Sequence, residues 1–201
     1  MPERLTVLPD ERFAALRATL LAALQTAARD VSGEAFGAFL DDSMRSLLLE
    51  GFHRVSADEG TVWLLNETKN ALVPRFNSGA HADYFVGRFE QPLRSGMISM
   101  VAATEQPICE NEVCRNERQD RTLDNELGLK TWAMLAVPFV YFSELRGVIS
   151  CVQLLPKEAS APVPPGFSAQ HLSDLQHTAG LLSRLIEYRL LAQCLGLDAL
   201  G

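Results

Sequence analysis

Apolar and polar positions alternate along the chain in a way that sets helices at both ends and strands between them. Near the start, Phe13, Leu16, Leu20, Leu24, Ala27 and Val31 recur at three- and four-residue spacing, which predicts a one-faced helix. Asp10, after Pro9, is its expected N-cap, and Ser32 and Gly33 end it. A second helix is expected over residues 34–53, with the stripe Phe36, Phe39, Leu40, Met44, Leu47 and Leu48. Neither stripe can be buried within its own helix, so both require a larger partner.

From about Ser56 the pattern becomes that of strands. Residues 61–65 form an apolar, partly β-branched run, the sequence NETKN at 66–70 is a polar turn, and residues 71–77 return as the second arm of a hairpin. Residues 78–84 read as loop, 85–92 as a short third strand, Ser95 and Gly96 as a break, 98–104 as a two-turn helix, and Pro107 to Glu110 as a short extended piece. Residues 111–125 are strongly polar, with only Val113 and Leu123 as apolar anchors. Such a segment is either a loop with a short helix that carries binding residues over a rigid sheet, or a solvated turn without a role.

Residues 124–155 are the stretch around which the rest is arranged. A short polar helix closed by Gly128 leads into the apolar run 131–140, a turn through Ser143 and Glu144, and a return strand at 147–155. Residues 132–139 carry no charge, which predicts a strand covered on both faces in the sheet interior. The segment 156–168 holds four prolines and excludes regular structure. Ser168 is the expected N-cap of a long last helix, with Phe167 and Leu172 as a hydrophobic staple. That helix has two apolar stripes. Leu172, Leu175, Ala179, Leu182 and Ile186 can cover the sheet, while Leu181, Leu185, Tyr188, Ala192 and Leu195 require the N-terminal helix or a second copy of the chain.

Composition narrows the setting. At 201 residues the chain fits one domain with a real core. No run of roughly 18 apolar residues could span a bilayer. The first ten residues have neither a basic start nor an apolar signal core, so no secretion is expected and the compartment is taken as cytoplasmic and reducing. Cys109, Cys114, Cys151 and Cys194 then read as thiols. The net charge of −7, with scattered Arg and Lys, argues against a nucleic-acid partner.

Three segments together resemble the GAF domain family: PLRSGMISMVAATEQPICENEV (92–113), DNELGLKTWAMLAVPF (124–139) and ELRGVISCVQLL (144–155). The likeness lies in a small-residue helix ending in Thr-Glu-Gln-Pro, a Gly-Leu-Lys-Thr approach to an Ala-Val-Pro strand, and a Gly-Val return strand. It implies an α+β fold with a central antiparallel sheet of about six strands, N- and C-terminal helices on one face, and a layer of loops and short helices over a small-molecule pocket on the other. The implied division is 1–54 as an N-terminal helical segment for packing or dimerisation, 55–192 as the GAF-like domain and 193–201 as a tail. The resemblance makes 111–125 the pocket lid and places Phe89, Met97, Ile98, Cys109, Thr122, Asn125 and Trp132 at or near the pocket.

The segment DNELGLKT looks most like GAF domains of cyclic-nucleotide phosphodiesterases. Members that bind cyclic nucleotide carry an Asn-Lys pair after the last strand, then Phe, then Asp-Glu at the start of the last helix. Here Leu155-Pro156 and His171-Leu172 replace the two pairs and only Phe167 matches, so the resemblance identifies no ligand or cofactor.

The implied function is a non-catalytic regulatory or sensory domain that binds a small molecule and signals through the terminal helices of a homodimer, without nucleic acid or membrane as partner. Two alternatives stand beside it. One is a free methionine sulfoxide reductase of GAF type using Cys109 and Cys114, with Arg115 and Arg118 lowering a thiol pKa. The other is a dimerisation module whose pocket is filled by Phe89, Met97, Met100 and Trp132. His53, His81, His171 and His177 lack the spacing of a metal site, and a lone loop histidine such as His81 is ordinarily solvated rather than a haem ligand. Asp120, Asp124 and Glu126 are expected as solvated carboxylates of the lid.

Overall fold

The computed structural model describes residues 14–158 and 160–197. Helix α1 spans Ala14–Ser32 and buries Leu24, Ala28 and Val31, while Leu16, counted in its stripe, is exposed. The expected cap Asp10 and the stripe residue Phe13 lie outside the described residues. The single second helix expected from periodicity is two, α2 at Phe36–Phe39 and α3 at Asp42–Arg54. Leu40 leaves the helix with extended backbone, and the Asp41 carboxylate accepts from the amide of Met44 at 2.9 Å, capping α3. A short acceptor side chain at the start of a turn competes with a continuous helix and here restarts it.

Six strands follow: β1 Glu59–Leu65, β2 Ala71–Asn77, β3 Gln91–Pro92, β4 Ile108–Glu110, β5 Thr131–Tyr141 and β6 Glu144–Leu154. They form one antiparallel sheet in the order β3-β2-β1-β6-β5-β4. Between strands lie α4 (Ala82–Phe85), α5 (Met97–Thr104) and α6 (Thr122–Leu127), and α7 (Ala169–Cys194) closes the fold. The third strand expected over 85–92 shrinks to two residues, because Phe85 ends α4 and the chain turns before Gln91. The β5–β6 turn consists of Phe142 and Ser143, both at positive φ, with Glu144 already paired to Tyr141. Two left-handed residues match the twist of a two-residue hairpin.

The uncharged strand β5 is not central: it lies one place from the edge, beside β4, which ends after three residues. Ala133, Leu135, Val137 and Phe139 are buried against the helices, Ala136 is buried on the opposite face, and Val140 is exposed. Pro138 lies past the last β5 residue that β4 reaches, Ala136, so its missing N–H costs no bond on that side. The centre belongs to β1 and β6. A Cβ on Gly147 would stand 1.8 Å from the Trp63 carbonyl oxygen, so these strands meet only with glycine there.

Two cores flank the sheet. On one face α1, α2, α3 and α7 pack on Val62, Leu64, Leu135, Val137, Phe139 and Ile149. The α1 helix is tied down by a 2.5 Å hydrogen bond between the hydroxyls of Ser32 and Tyr141. On the other face Ile98, Val101 and Ala102 of α5 pack with Phe85, Trp63 and Val148. Ser168 caps α7 as expected, and His171 supplies the return bond of the capping box to the Ser168 amide at 3.4 Å. Leu175, Ala179, Leu182 and Ile186 are buried, whereas Leu181, Leu185, Tyr188 and Leu195 are exposed. No helix among the described residues is long and apolar enough to cross a membrane.

Candidate functional site

Strand alternation places Glu59, Thr61 and Trp63 on the face of the sheet away from the terminal helices. The register sets Thr61 between Asn77 of β2 and Ser150 of β6. Asn77 Nδ2 donates to Thr61 Oγ1 at 2.9 Å, and Trp63 Nε1 donates to Ser150 Oγ at 2.9 Å. Both bonds fix polar side chains in an otherwise apolar layer, where an unpaired group would be costly. Phe85, Phe89, Met97 and Ile98 stand around this floor, with the Phe89 ring edge-on to Trp63 at 6.2 Å between centroids. The space enclosed is a cavity of about 100 Å³. Its capacity is that of several water molecules.

The roof is the segment from Gln119 to Thr131. Leu123 and Leu127, one helical turn apart on α6, point down into the cavity with Asp124. No residue of α6 is fully buried, so apolar packing holds this helix weakly. Leu123 and Leu127 pack against the second core, and two aspartates add hydrogen bonds. Asp120 Oδ2 accepts from Gln91 Nε2 and from Ser95 Oγ, each at 3.0 Å, while its Oδ1 accepts from the Thr122 amide and hydroxyl. Asp124 accepts from the Thr131 amide and hydroxyl, both at 2.9 Å, and from Gln119 Nε2 at 3.0 Å. The donors drawn onto Asp120, those of Gln91 and Thr122 first, hold its carboxyl at about 2, below the ordinary 3.8. Gly96, at φ 89°, lets this latch close: a Cβ there would lie 3.1 Å from Gln91 Nε2 and 3.2 Å from the Asp120 Cβ.

Glu59 stands at the cavity edge with its carboxyl over Gly79, where an added Cβ would fall 2.1 Å from the carboxyl carbon. Burial raises its pKa above the ordinary carboxylate value, only partly offset by the neighbouring Asn77 amide and His81. Outside the lid lies a second, open cleft of about 590 Å³, whose walls include Arg94, Met100 and Arg118. Gly96, Gln119 and Asp120 border both spaces, so the lid is the partition between them.

Of the seven residues assigned to the pocket from the sequence, Phe89, Met97 and Ile98 line the cavity. The other four do not. Thr122 and Asn125 are exposed, because the α6 face carrying Leu123 and Leu127 turns inward and brings Asp124 with it. Trp132 sits at a register shift between Thr131 and Ala133 and packs against the core on the helix side of the sheet. Cys109 is exposed on the edge strand β4 opposite Leu135, which belongs to that same core. The expected solvated carboxylates Asp120 and Asp124 are instead hydrogen-bonded anchors of the roof. Sequence reasoning missed Glu59, Thr61, Asn77 and Ser150. Their signal was polar side chains at alternating positions in strands whose other face is apolar.

Two of the four thiols, Cys109 and Cys151, hold their protons more tightly than a free cysteine. Burial and the adjacent Glu110 raise the Cys109 pKa, and complete burial pushes Cys151 higher still. Arg115 pairs with Glu112 at 2.6 Å and Arg118 donates to Met100 Sδ at 3.6 Å, so the recorded contacts of both arginines go elsewhere than the cysteines. Among the described residues no group of three or more His, Cys, Asp or Glu could hold a metal ion.

Comparison with known proteins places this geometry. The GAF domain profile matches residues 14–187. No curated protein matches the chain. The GAF domain of the Coxiella burnetii phosphoenolpyruvate-protein phosphotransferase superposes with a TM-score of 0.60 at 18% identity, covering 88% of this chain and 96% of that one. Its Acinetobacter counterpart gives 0.57 at 18% identity, with 89% and 97% covered. The type II free methionine-R-sulfoxide reductase of Thermoplasma acidophilum gives 0.50 at 17% identity, with 73% and 96% covered. At these identities the likeness is one of fold. The family match over most of the chain, on a six-stranded antiparallel sheet with terminal helices on one face and a lidded cavity on the other, establishes that this chain belongs to the GAF domain family.

Proposed function

We propose that this GAF domain is a non-catalytic sensory module of the cytoplasm: a small molecule binds in the cavity above Thr61 and Ser150, changes the lid, and the terminal helices of a homodimer carry the change. The observation that carries this reading is the lid itself, a roof fastened over the cavity by hydrogen bonds of Asp120 and Asp124 and by the partly buried Leu123 and Leu127. A segment fastened in this way opens more readily than a packed core and can be stabilised by whatever fills the space beneath it. An open volume of about 100 Å³ supports a binding site over a pocket filled by its own side chains.

The dimer draws its support from α7, whose exposed Leu181, Leu185, Tyr188 and Leu195 lie on a helix that also packs against α1. The raised Cys109 pKa and the contacts of Arg115 and Arg118 favour a binding module over a thiol reductase.

Two measurements test the proposal. In size-exclusion chromatography with light scattering the wild type runs as a dimer and the Leu181→Glu/Leu185→Glu variant as a monomer; a wild-type monomer at high concentration removes the dimer. In native mass spectrometry after incubation with the low-molecular-weight fraction of a cell extract, the wild type retains an adduct that Val152→Phe, which fills the cavity, does not. Absence of any adduct on the wild type removes the binding site.

A further inference from the structure

The charged side chains that border the inner cavity are all of one sign. Glu59, Asp120 and Asp124 line it, and no Lys, Arg or His does. Asp120 and Asp124 are occupied by protein donors, and their charge remains at the wall while their lone pairs are spent on the lid. Glu59 is different. It has no ion pair among the described residues, and the groups that favour its charge are the Asn77 amide and His81, neither of which lifts the effect of burial.

The apolar part of the wall has a matching character. Trp63, Phe85 and Phe89 present aromatic surface to the same space, and the electron-rich faces of such rings attract cations. An anion placed here would meet three carboxylates and no Lys, Arg or His in the wall, which disfavours phosphate and carboxylate ligands in the inner cavity. The arginines Arg94 and Arg118 face the separate cleft beyond the lid and cannot supply that counter-charge.

From this aromatic and uniformly acidic cavity we infer that the ligand is a small organic cation, an alkylammonium group whose charged head lies beside Glu59 and whose apolar part rests against Trp63 and Phe89. This inference rests on the proposal that the cavity is a ligand site and adds the chemical class. The raised pKa of Glu59, set by burial and only partly offset by Asn77 and His81, agrees with a carboxyl that a bound cation would stabilise further.

The test titrates n-butylammonium, 1-butanol and butyrate, equal in length and differing in charge, at fixed ionic strength and neutral pH. Binding is read from the ¹³C-methyl signals of Met97 and Met134, both in the cavity wall. The expected order is butylammonium first, about tenfold tighter than butanol, with butyrate weakest. Glu59→Gln, which keeps the side-chain shape and removes the charge, should bring butylammonium to the level of butanol without changing butanol binding. Equal or tighter binding of butanol or butyrate, or unchanged butylammonium binding in Glu59→Gln, overturns the cation assignment while leaving the cavity as a ligand site. Failure of all three probes to move either methyl signal overturns both.

Discussion

Replacing Asp120 by Asn perturbs the lid at the point where its fastening can be quantified. The folded state holds this carboxyl at about 2 against an ordinary 3.8, the bonds from Gln91 and Thr122 being the largest causes. Taken at face value, that displacement corresponds to roughly 2.5 kcal/mol, at about 1.4 kcal/mol per tenfold change in proton affinity. The carboxylate is partly exposed, so solvent screening brings the expected contribution nearer to about 1 kcal/mol.

The sign follows from the direction of the displacement. A carboxyl more acidic in the folded than in the unfolded state stabilises the fold above its ordinary value and loses that contribution as pH falls from 3.8 through 2. Asn keeps an acceptor for Thr122 but turns an amino group toward Gln91 Nε2, a donor left without this acceptor, and toward Ser95 Oγ, which must stop donating in order to accept. Urea unfolding should therefore show Asp120→Asn less stable by about 1 kcal/mol at pH 7, with the difference shrinking toward zero near pH 2. By the same energy, hydrogen exchange of the Thr122 amide should quicken by about fivefold at pH 7. A stability difference that does not change between pH 7 and 2, or an unaltered Thr122 amide, would refute the latch.

Other consequences follow from single contacts. Gly147→Ala forces a methyl to 1.8 Å from the Trp63 carbonyl oxygen and should lower stability by about 3 kcal/mol or more, read as an earlier urea midpoint. Ser143→Gly relieves a left-handed residue (φ 58°) in the β5–β6 turn and should raise stability by about 1 kcal/mol, seen as a melting temperature higher by roughly 3 °C. The Cys109 thiol, exposed yet raised in pKa, should alkylate at pH 7 more slowly than a free cysteine, with the inflection of its pH–rate profile above the ordinary 9.0; an inflection below that value would point back to thiol chemistry.

Much of the scaffold was legible because its signals are local and redundant. Ser168 with Phe167 before it and Leu175, Ala179, Leu182 and Ile186 after it specify one helix in one orientation. The β1–β2 hairpin is equally explicit, since Asn66 folds its side chain back onto the amides of Asn70 and Ala71 at 3.0 and 3.3 Å. Asp41 was not legible as a break, because Asp41, Asp42 and Ser43 fall between the stripe residues Leu40 and Met44 and look like the solvent face of one helix. The strand expected over 85–92 failed for a related reason. Phe85 and Phe89 are apolar because they wall a cavity, and β3 is too short to show a period of two.

The site was legible where apolar side chains lie on short elements and illegible where orientation depends on phase. In α6 the pair Leu123 and Leu127 decides which face turns inward, so Asp124 joins the cavity and Thr122 and Asn125 do not. Trp132 was misplaced because the register shift beside it leaves no mark in the sequence. Glu59 was missed because the apolar run that marks β1 starts at Thr61 and Gly60 beside Glu59 has no side chain to show the alternation.

Whether a ligand acts in the space under the lid is read from the two indole N–H signals in an NMR titration with a library of small amines, alcohols and carboxylates. Trp63 lies in the cavity floor and Trp132 on the opposite side of the sheet, so the protein carries its own control. A binder should shift the Trp63 signal together with the amides of Gln119, Asp120 and Asp124 while Trp132 stays in place. Shifts at Trp132 alone, or a Trp63 signal indifferent to every compound, would contradict a ligand site under the lid.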